Sequence, residues 1–207
     1  CKGGHGQGPY GDYPQEVSGV IPDTPNLYTD GGVKNPTNQH FAIAGFGLWW
    51  PNQQTQTINP YMHAKVEEDG TAMWAGLQGN SVSSTRTELA AIVVASMWPI
   101  PLHIGSDSLS VVRKAEYLIR TAIKWNEYDG IPAHTRRNPC GRPWSMQPDG
   151  DLWQQFWNAT LARGPASIRL VKAKGPATAK DISDGKANEV DRSGNEDADK
   201  AATEDTG

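Results

Sequence analysis

Cysteine is nearly absent: Cys1 and Cys140 are the only two in 207 residues. So distant a pair gives neither a disulfide framework nor a metal-binding spacing. The opening "CKGGH" supplies at most half of a zinc finger. No run of 18 apolar residues occurs, so no membrane-spanning helix is expected. No basic-then-apolar signal segment opens the chain. No Gly-Lys-Ser/Thr loop is there to cradle a nucleotide phosphate. The chain starts on Cys1 rather than Met, as expected of a processed piece of a longer protein. A reducing, intracellular setting, nuclear or cytoplasmic, is the expectation left by these absences.

Hydrophobic content is 37%, with 22 Gly and 15 Pro, so much of the length is loop or tail. The length suits one domain with a single core. Eight Trp need either that core or a stacking surface. Trp144, in a polar loop, is the best candidate for stacking. The formal net charge is -4, but it is spread unevenly. Acids crowd into 181–207 and leave the rest slightly basic. Residues 113–142 carry a local excess of bases, among them Arg113, Arg120, Lys124, Arg136, Arg137 and Arg142. Local charge decides how a polyanion is met, so a nucleic-acid partner stays open.

Residues 1–23 are rich in Gly and Pro and read as a flexible arm. A single domain is expected over 24–205, taking in the acidic C-terminal segment 181–207. Its first strand begins at Asn26 and ends at Asp30-Gly31-Gly32. "FAIAGFGLWW" (41–50) is apolar on both faces and reads as a central strand. "AMWAGLQG" (72–79) is a third strand. Residues 54–58 extend the sheet, and 59–71 read as an exposed connection. Short spacing makes the three strands an antiparallel meander.

The period then changes. Leu89, Ile92, Val93 and Met97 follow helical spacing until Pro99 and Pro101 stop the helix. "PLHIGSD" (101–107) is a strand. Val111, Val112, Ala115, Leu118, Ile119 and Ala122 mark a second helix. Trp153, Phe156, Trp157 and Leu161 mark a third, with Asp149 or Asp151 near its cap. "SIRLVKAK" (167–174) is a fifth strand. A final helix around 195–204 has only Ala198, Ala201 and Ala202 to bury, which predicts low stability.

Carboxylates stand at element ends: Asp30 after the first strand, Glu88 in the first turn of the first helix, Asp107 after the fourth strand. Asp199 lies on the last helix. Each has an ordinary reading. Asp30-Gly31-Gly32 makes a turn. Thr85 and Glu88 make a capping box. Asp107 or Ser108 caps a helix. Asp199 is one acid among several in the tail. Their joint placement is what carries information. With strands 1 and 4 adjacent, Asp30 and Asp107 lie side by side and the first helix brings Glu88 above them. Converging acids repel one another unless a cation neutralises them. Mg²⁺, which prefers hard oxygen ligands and keeps waters for a phosphate, suits the group.

"YTDGG", "SSTRTELAAI", "HIGSDSLSVV" and "GNEDADKAA", in this order on this topology, resemble type 1 ribonuclease H, above all its retroelement domains. "GDLWQQFW" and "VKAKG" match as well, and the resemblance covers about 26–205. It implies an α/β, ribonuclease H-like fold: a five-stranded mixed sheet, with a three-stranded antiparallel meander plus two parallel strands, flanked by helices. It implies endonucleolytic hydrolysis of the RNA strand of RNA/DNA hybrids with two Mg²⁺ ions, Mn²⁺ being an alternative. Asp30, Glu88, Asp107 and Asp199 match the family's metal-binding, catalytic carboxylates. Ser84, Thr85, Arg86 and Ser108 match its hybrid-contacting positions. The basic segment 124–144 falls where some members grip the duplex. A covalently linked reverse transcriptase is an expected partner in a parent polyprotein. An integrase-like enzyme is disfavoured, because the helix carrying Glu88 lies between strands 3 and 4.

One departure stands out. Many members carry a histidine after the last strand, where this chain reads Lys174-Gly175-Pro176. Proline has no group that can move a proton. The alternative is therefore a catalytically impaired, hybrid-binding domain of a decayed retroelement. Pro176→His is expected to raise turnover on a hybrid, by up to about 10²–10⁴-fold. An unchanged turnover number would mean that this loop does not reach the scissile phosphate.

Overall fold

The computed structural model describes residues 7–8, 11–35, 42–51, 62–77, 83–127, 138–175, 177–185 and 187–204. A small antiparallel ribbon, β1 (Gln7–Gly8) with β2 (Gly11–Asp12), opens the chain. The main sheet contains β3 (Leu27–Lys34), β4 (Ile43–Pro51), β5 (His63–Val66), β6 (Gly70–Leu77), β7 (Leu102–Ser106) and β8 (Ile168–Lys172). Their order across the sheet is β5-β6-β4-β3-β7-β8. The first four are antiparallel neighbours, and β7 and β8 add on in parallel. The helices are α1 (Ser84–Ala95), α2 (Leu109–Glu127), α3 (Gly150–Arg163), α4 (Ala179–Ser183) and α5 (Glu189–Glu204).

The sheet has six strands, one more than the sequence pattern suggests. The extra one is β5, inside the stretch that reads as an exposed connection. It is a four-residue, largely exposed edge strand, and alternation over only His63 to Val66 is too short to stand out in sequence. The stretch 54–58 lies outside the described residues. The first strand does not end at Asp30 either. It continues to Lys34, with Asp30 paired to Gly47 in mid-strand.

The two faces of the sheet are covered by different chemistry. Leu27, Phe46, Leu48 and Trp50 point to one side, into the main core with α1, α2 and α3. Tyr28 and Trp49 point to the other, with Ala198 and Ala201 of α5. Alternation along each strand produces this division. α1 is buried from Thr87 to Ala95, which suits a helix that is apolar nearly all round. Its N-cap is Ser83, whose side chain accepts from the Arg86 amide at 3.1 Å. The Thr85–Glu88 capping box is therefore not the cap in use, and Glu88 is not spent on it.

Trp144 is a correction. It sits in a short 3-10 turn with only 7% of its surface exposed, packed into the main core. It offers no stacking platform. The third helix also hides a residue that pattern reading passes over. Arg163 is fully buried, and its guanidinium donates to the carbonyls of Ser96, Trp98 and Ile100 beyond the end of α1. Burial lowers its pKa to about 10. The cation satisfies backbone acceptors beyond the end of α1 and ties α3 to it. Next to this tie, the Val17 amide donates to the Arg163 carbonyl. Nearby, the Pro22 carbonyl meets Nδ1 of His103, and this places the arm's last residues against the domain.

The last helix starts at Glu189, earlier than the pattern suggests, and α4 occupies part of the preceding stretch. Its alanines succeed because the strand beneath them is glycine. A Cβ on Gly47 would fall 2.3 Å from the Ala198 carbonyl oxygen and 2.8 Å from the Ala201 Cβ. Without that carbon the helix backbone lies directly on β4, and dispersion over a close contact replaces large side chains. Gly47→Ala is therefore expected to destabilise the fold by about 3 kcal/mol, the upper end of the overpacking range. Thermal and urea denaturation would read the loss; an unchanged midpoint would contradict the close packing.

Candidate active site

Each acid reaches the site from a different element. Asp30 projects from mid-β3, Glu88 from the second turn of α1, and Asp107 from the residue after β7. α1 comes close because Gly31 has no side chain: a Cβ there would fall 2.4 Å from the Glu88 amide nitrogen. Carboxylate oxygens of Asp30, Glu88 and Asp107 lie within 4.8 Å of one another. Asp30 and Glu88 are each only 8% exposed, and Asp107 is half-buried. At such a spacing each ionised pair costs about 3–4 kcal/mol in a medium of intermediate dielectric.

Their titration shows the strain. Burial and then the Asp107 charge raise the Asp30 pKa to about 7. Burial and then the Asp30 charge raise Glu88 further, to about 10. Both carboxyls therefore favour the protonated form in the metal-free protein, Glu88 the more strongly. The Gly31 amide donates to Asp30 Oδ1 at 2.7 Å. The second oxygen of Glu88, Oε2, is buried and has no hydrogen-bond partner. A buried orphan oxygen beside two further carboxylates fits a hard cation such as Mg²⁺ or Mn²⁺.

Asp199 is exposed on α5 and does not belong to the close group of three. Its charge nonetheless contributes, as the smallest of the causes, to raising the Asp30 pKa. Asp191, another acid of the same helix, is committed elsewhere: its Oδ1 accepts from the Tyr28 hydroxyl at 2.7 Å.

The residues matched to hybrid contact are divided. Ser84 and Thr85 are exposed at the start of α1, and Ser108 is half-buried beside Asp107. Arg86 is engaged by α3. It forms a two-pronged pair with Asp151 at 2.9 and 2.6 Å and reaches Asp149 at 3.2 Å. These carboxylates raise its pKa and hold the first turn of α1, two residues from Glu88. Asp149 and Asp151 thus serve Arg86 at the start of α3, and Asp149 makes no side-chain cap. Of the basic stretch, Arg113, Arg120, Lys124 and Arg142 are exposed. Lys114 lies 4.5 Å over the Trp153 ring. Arg136 and Arg137 lie outside the described residues.

Pro176 also lies outside them, but its neighbour Gly175 is informative. A Cβ on Gly175 would fall 2.3 Å from Asn195 Nδ2 and 2.9 Å from Asp107 Oδ2. The loop after β8 thus passes between Asp107 and α5. Asn195 is 6% exposed, and its Oδ1 has no partner. Sequence reading missed it. The available signal was its place four residues before Asp199, which puts both on one helix face.

No protein-family model and no curated protein matches the sequence. Among solved structures, the PFV RNase H domain aligns with a TM-score of 0.51 at 20% identity, over 86% of this chain and 90% of that one. The fold is RNase H-like. A foamy viral protease-reverse transcriptase solved with an RNA/DNA hybrid aligns at a TM-score of 0.48 and 17% identity. That alignment spans 92% of this chain and 22% of that one. LC9-RNase H1, a type 1 RNase H with the type 2 active-site motif, aligns at 0.45 and 14% identity, over 89% and 73%. The RNase H-like sheet accounts for the convergence seen here: β3 and β7 are neighbours, and their acids emerge side by side.

The raised acids give a sign for pH. Asp30 and Glu88 hold protons in the fold that the unfolded chain releases near pH 4. The contribution of this pair to metal-free stability is therefore full below the ordinary carboxylate range and is lost as pH rises through about 7 toward 10. Mg²⁺ held by these acids would take the ionised form, so its gain in melting temperature is expected to be larger near pH 8 than near pH 5.5. Equal gains at both pH values, or none, would contradict the arrangement.

Proposed function

We propose that this chain is a divalent-metal-dependent endonuclease that hydrolyses the RNA strand of RNA/DNA hybrids. The observation carrying the reading is the convergence of Asp30, Glu88 and Asp107 within 4.8 Å at the junction of β3, α1 and β7. Asp199 completes the set from α5. Two Mg²⁺ ions held by these acids would supply Lewis acidity at the attacking and leaving oxygens of the phosphodiester.

The chain's own residues do the rest. Asp30 and Asp107, fixed on adjacent strands, hold the site rigid. Glu88 gives up its proton to become a ligand. The exposed hydroxyls of Ser84 and Thr85, with Ser108, hydrogen-bond the hybrid. Recognition of RNA depends on 2′-hydroxyls, which DNA lacks. Arg113, Arg120, Lys124 and Arg142 meet phosphates with long, exposed cations. Arg86 acts indirectly, by tying α1 to α3. A reverse transcriptase linked in one polyprotein would deliver hybrid to this site.

Pro176 favours a second reading, a hybrid-binding domain with little catalysis. Labelled hybrid and duplex DNA separate the two. The nuclease reading expects cleavage of RNA in the hybrid with Mg²⁺ and none of duplex DNA. Binding without cleavage, even at high protein concentration, would favour the second reading. Asp30→Asn is expected to abolish cleavage and keep the fold; retained activity would sink the metal assignment.

A further inference from the structure

α5 meets β3 along one stripe: Asp191, Gly194, Asn195, Ala198, Asp199 and Ala202 share a helix face. The stripe is matched residue by residue. Tyr28 and Asp30 point to the same side of β3, two residues apart. A Cβ on Gly32 would lie 3.6 Å from the Ala202 carbonyl, ordinary contact. A Cβ on Gly194 would fall 2.3 Å from the Tyr28 ring. The helix therefore rests on the ring without a side chain between them.

The Tyr28 end of this seam is built for register. Tyr28 is fully buried, and its hydroxyl donates to Asp191 Oδ1 at 2.7 Å. Asp191 Oδ2 accepts from the Asn188 side-chain nitrogen at 2.7 Å. The Asp191 amide in turn donates to Asn188 Oδ1 at 2.6 Å. Asn188 caps the first turn of α5 with its side-chain oxygen and holds the Asp191 carboxylate with its side-chain nitrogen. One carboxylate thus fixes the helix end and binds it to the strand that carries Asp30. Elsewhere along the stripe, alanine on glycine gives close contact but little to stop a helix from sliding or turning.

We infer that Tyr28 and Asp191 form a latch that sets the register of α5, and so positions Asp199 and Asn195 at the acidic site. They are positioning residues, remote from the reacting atoms. The inference rests on the metal-site reading above. It also explains why the helix carries an acid two turns before Asp199 that takes no part in the site.

Tyr28→Phe is the cleanest test, because it removes one hydroxyl and leaves the ring under Gly194. The measurement is Mg²⁺ affinity by calorimetry, alongside melting temperature, on the full chain. Arg163→Lys, which loosens the α1–α3 tie, is the comparison for simple destabilisation. Tyr28→Phe is expected to weaken Mg²⁺ binding about 10-fold, the lower end for outer groups that orient ligands. Arg163→Lys is expected to lower the melting temperature with Mg²⁺ affinity unchanged. Asp191→Asn, which keeps an acceptor for the hydroxyl, should retain most of the affinity. If Tyr28→Phe lowers only the melting temperature, the pair is structural and the inference fails. If the wild-type chain binds no Mg²⁺, the metal-site reading fails first.

Discussion

Buried carboxylates cannot stay ionised at contact distance without a counter-charge, and this constraint organises the rest of the molecule. Asp30, Glu88 and Asp107 are held together by closely packed elements. Asp30 is in mid-strand with ladder bonds on one side to β4. Glu88 is fixed by a buried helix whose backbone touches Gly31. In the metal-free state the site copes by keeping protons on Glu88 and Asp30. The fold therefore stores a repulsion that a bound cation would relieve.

The scaffold around this point relies on missing side chains as much as on present ones. Gly31 admits α1 from one face, and Gly47 admits α5 from the other. Gly175 leaves room between Asp107 and Asn195. Three close approaches bring distant parts of the chain to one place. Two arginines then hold the frame: Arg163 beyond the end of α1, and Arg86 near its beginning. Arg163 is buried, whereas the Arg86–Asp151 pair lies at the surface. The cations left for a polyanion lie on the exposed side of α2 and beyond.

The convergence of Asp30, Glu88 and Asp107 was legible because it follows from the order of strands and helices, although Asp30 lies in mid-strand rather than at a strand end. The order of strands and helices was legible because hydrophobic period changes cleanly at Thr85. Three things were not. β5 is a largely exposed edge strand of four residues, too short for its alternation to stand out. The length of α5 was hidden because its stability comes from glycine on the opposing strand, a partner that sequence order does not reveal. The ion pairs of Arg86 were hidden: its partners, Asp149 just before α3 and Asp151 in its first turn, read as caps. Trp144 misled for a related reason, since a polar loop can fold an aromatic residue inward.

The central claim is that this acidic junction is a metal site, and Mn²⁺ can report it directly by anomalous scattering. A crystal of the wild-type chain soaked in Mn²⁺ near neutral pH is predicted to show an anomalous peak bounded by Asp30, Glu88 and Asp107. A fully soaked crystal with intact side chains and no peak there would contradict the account.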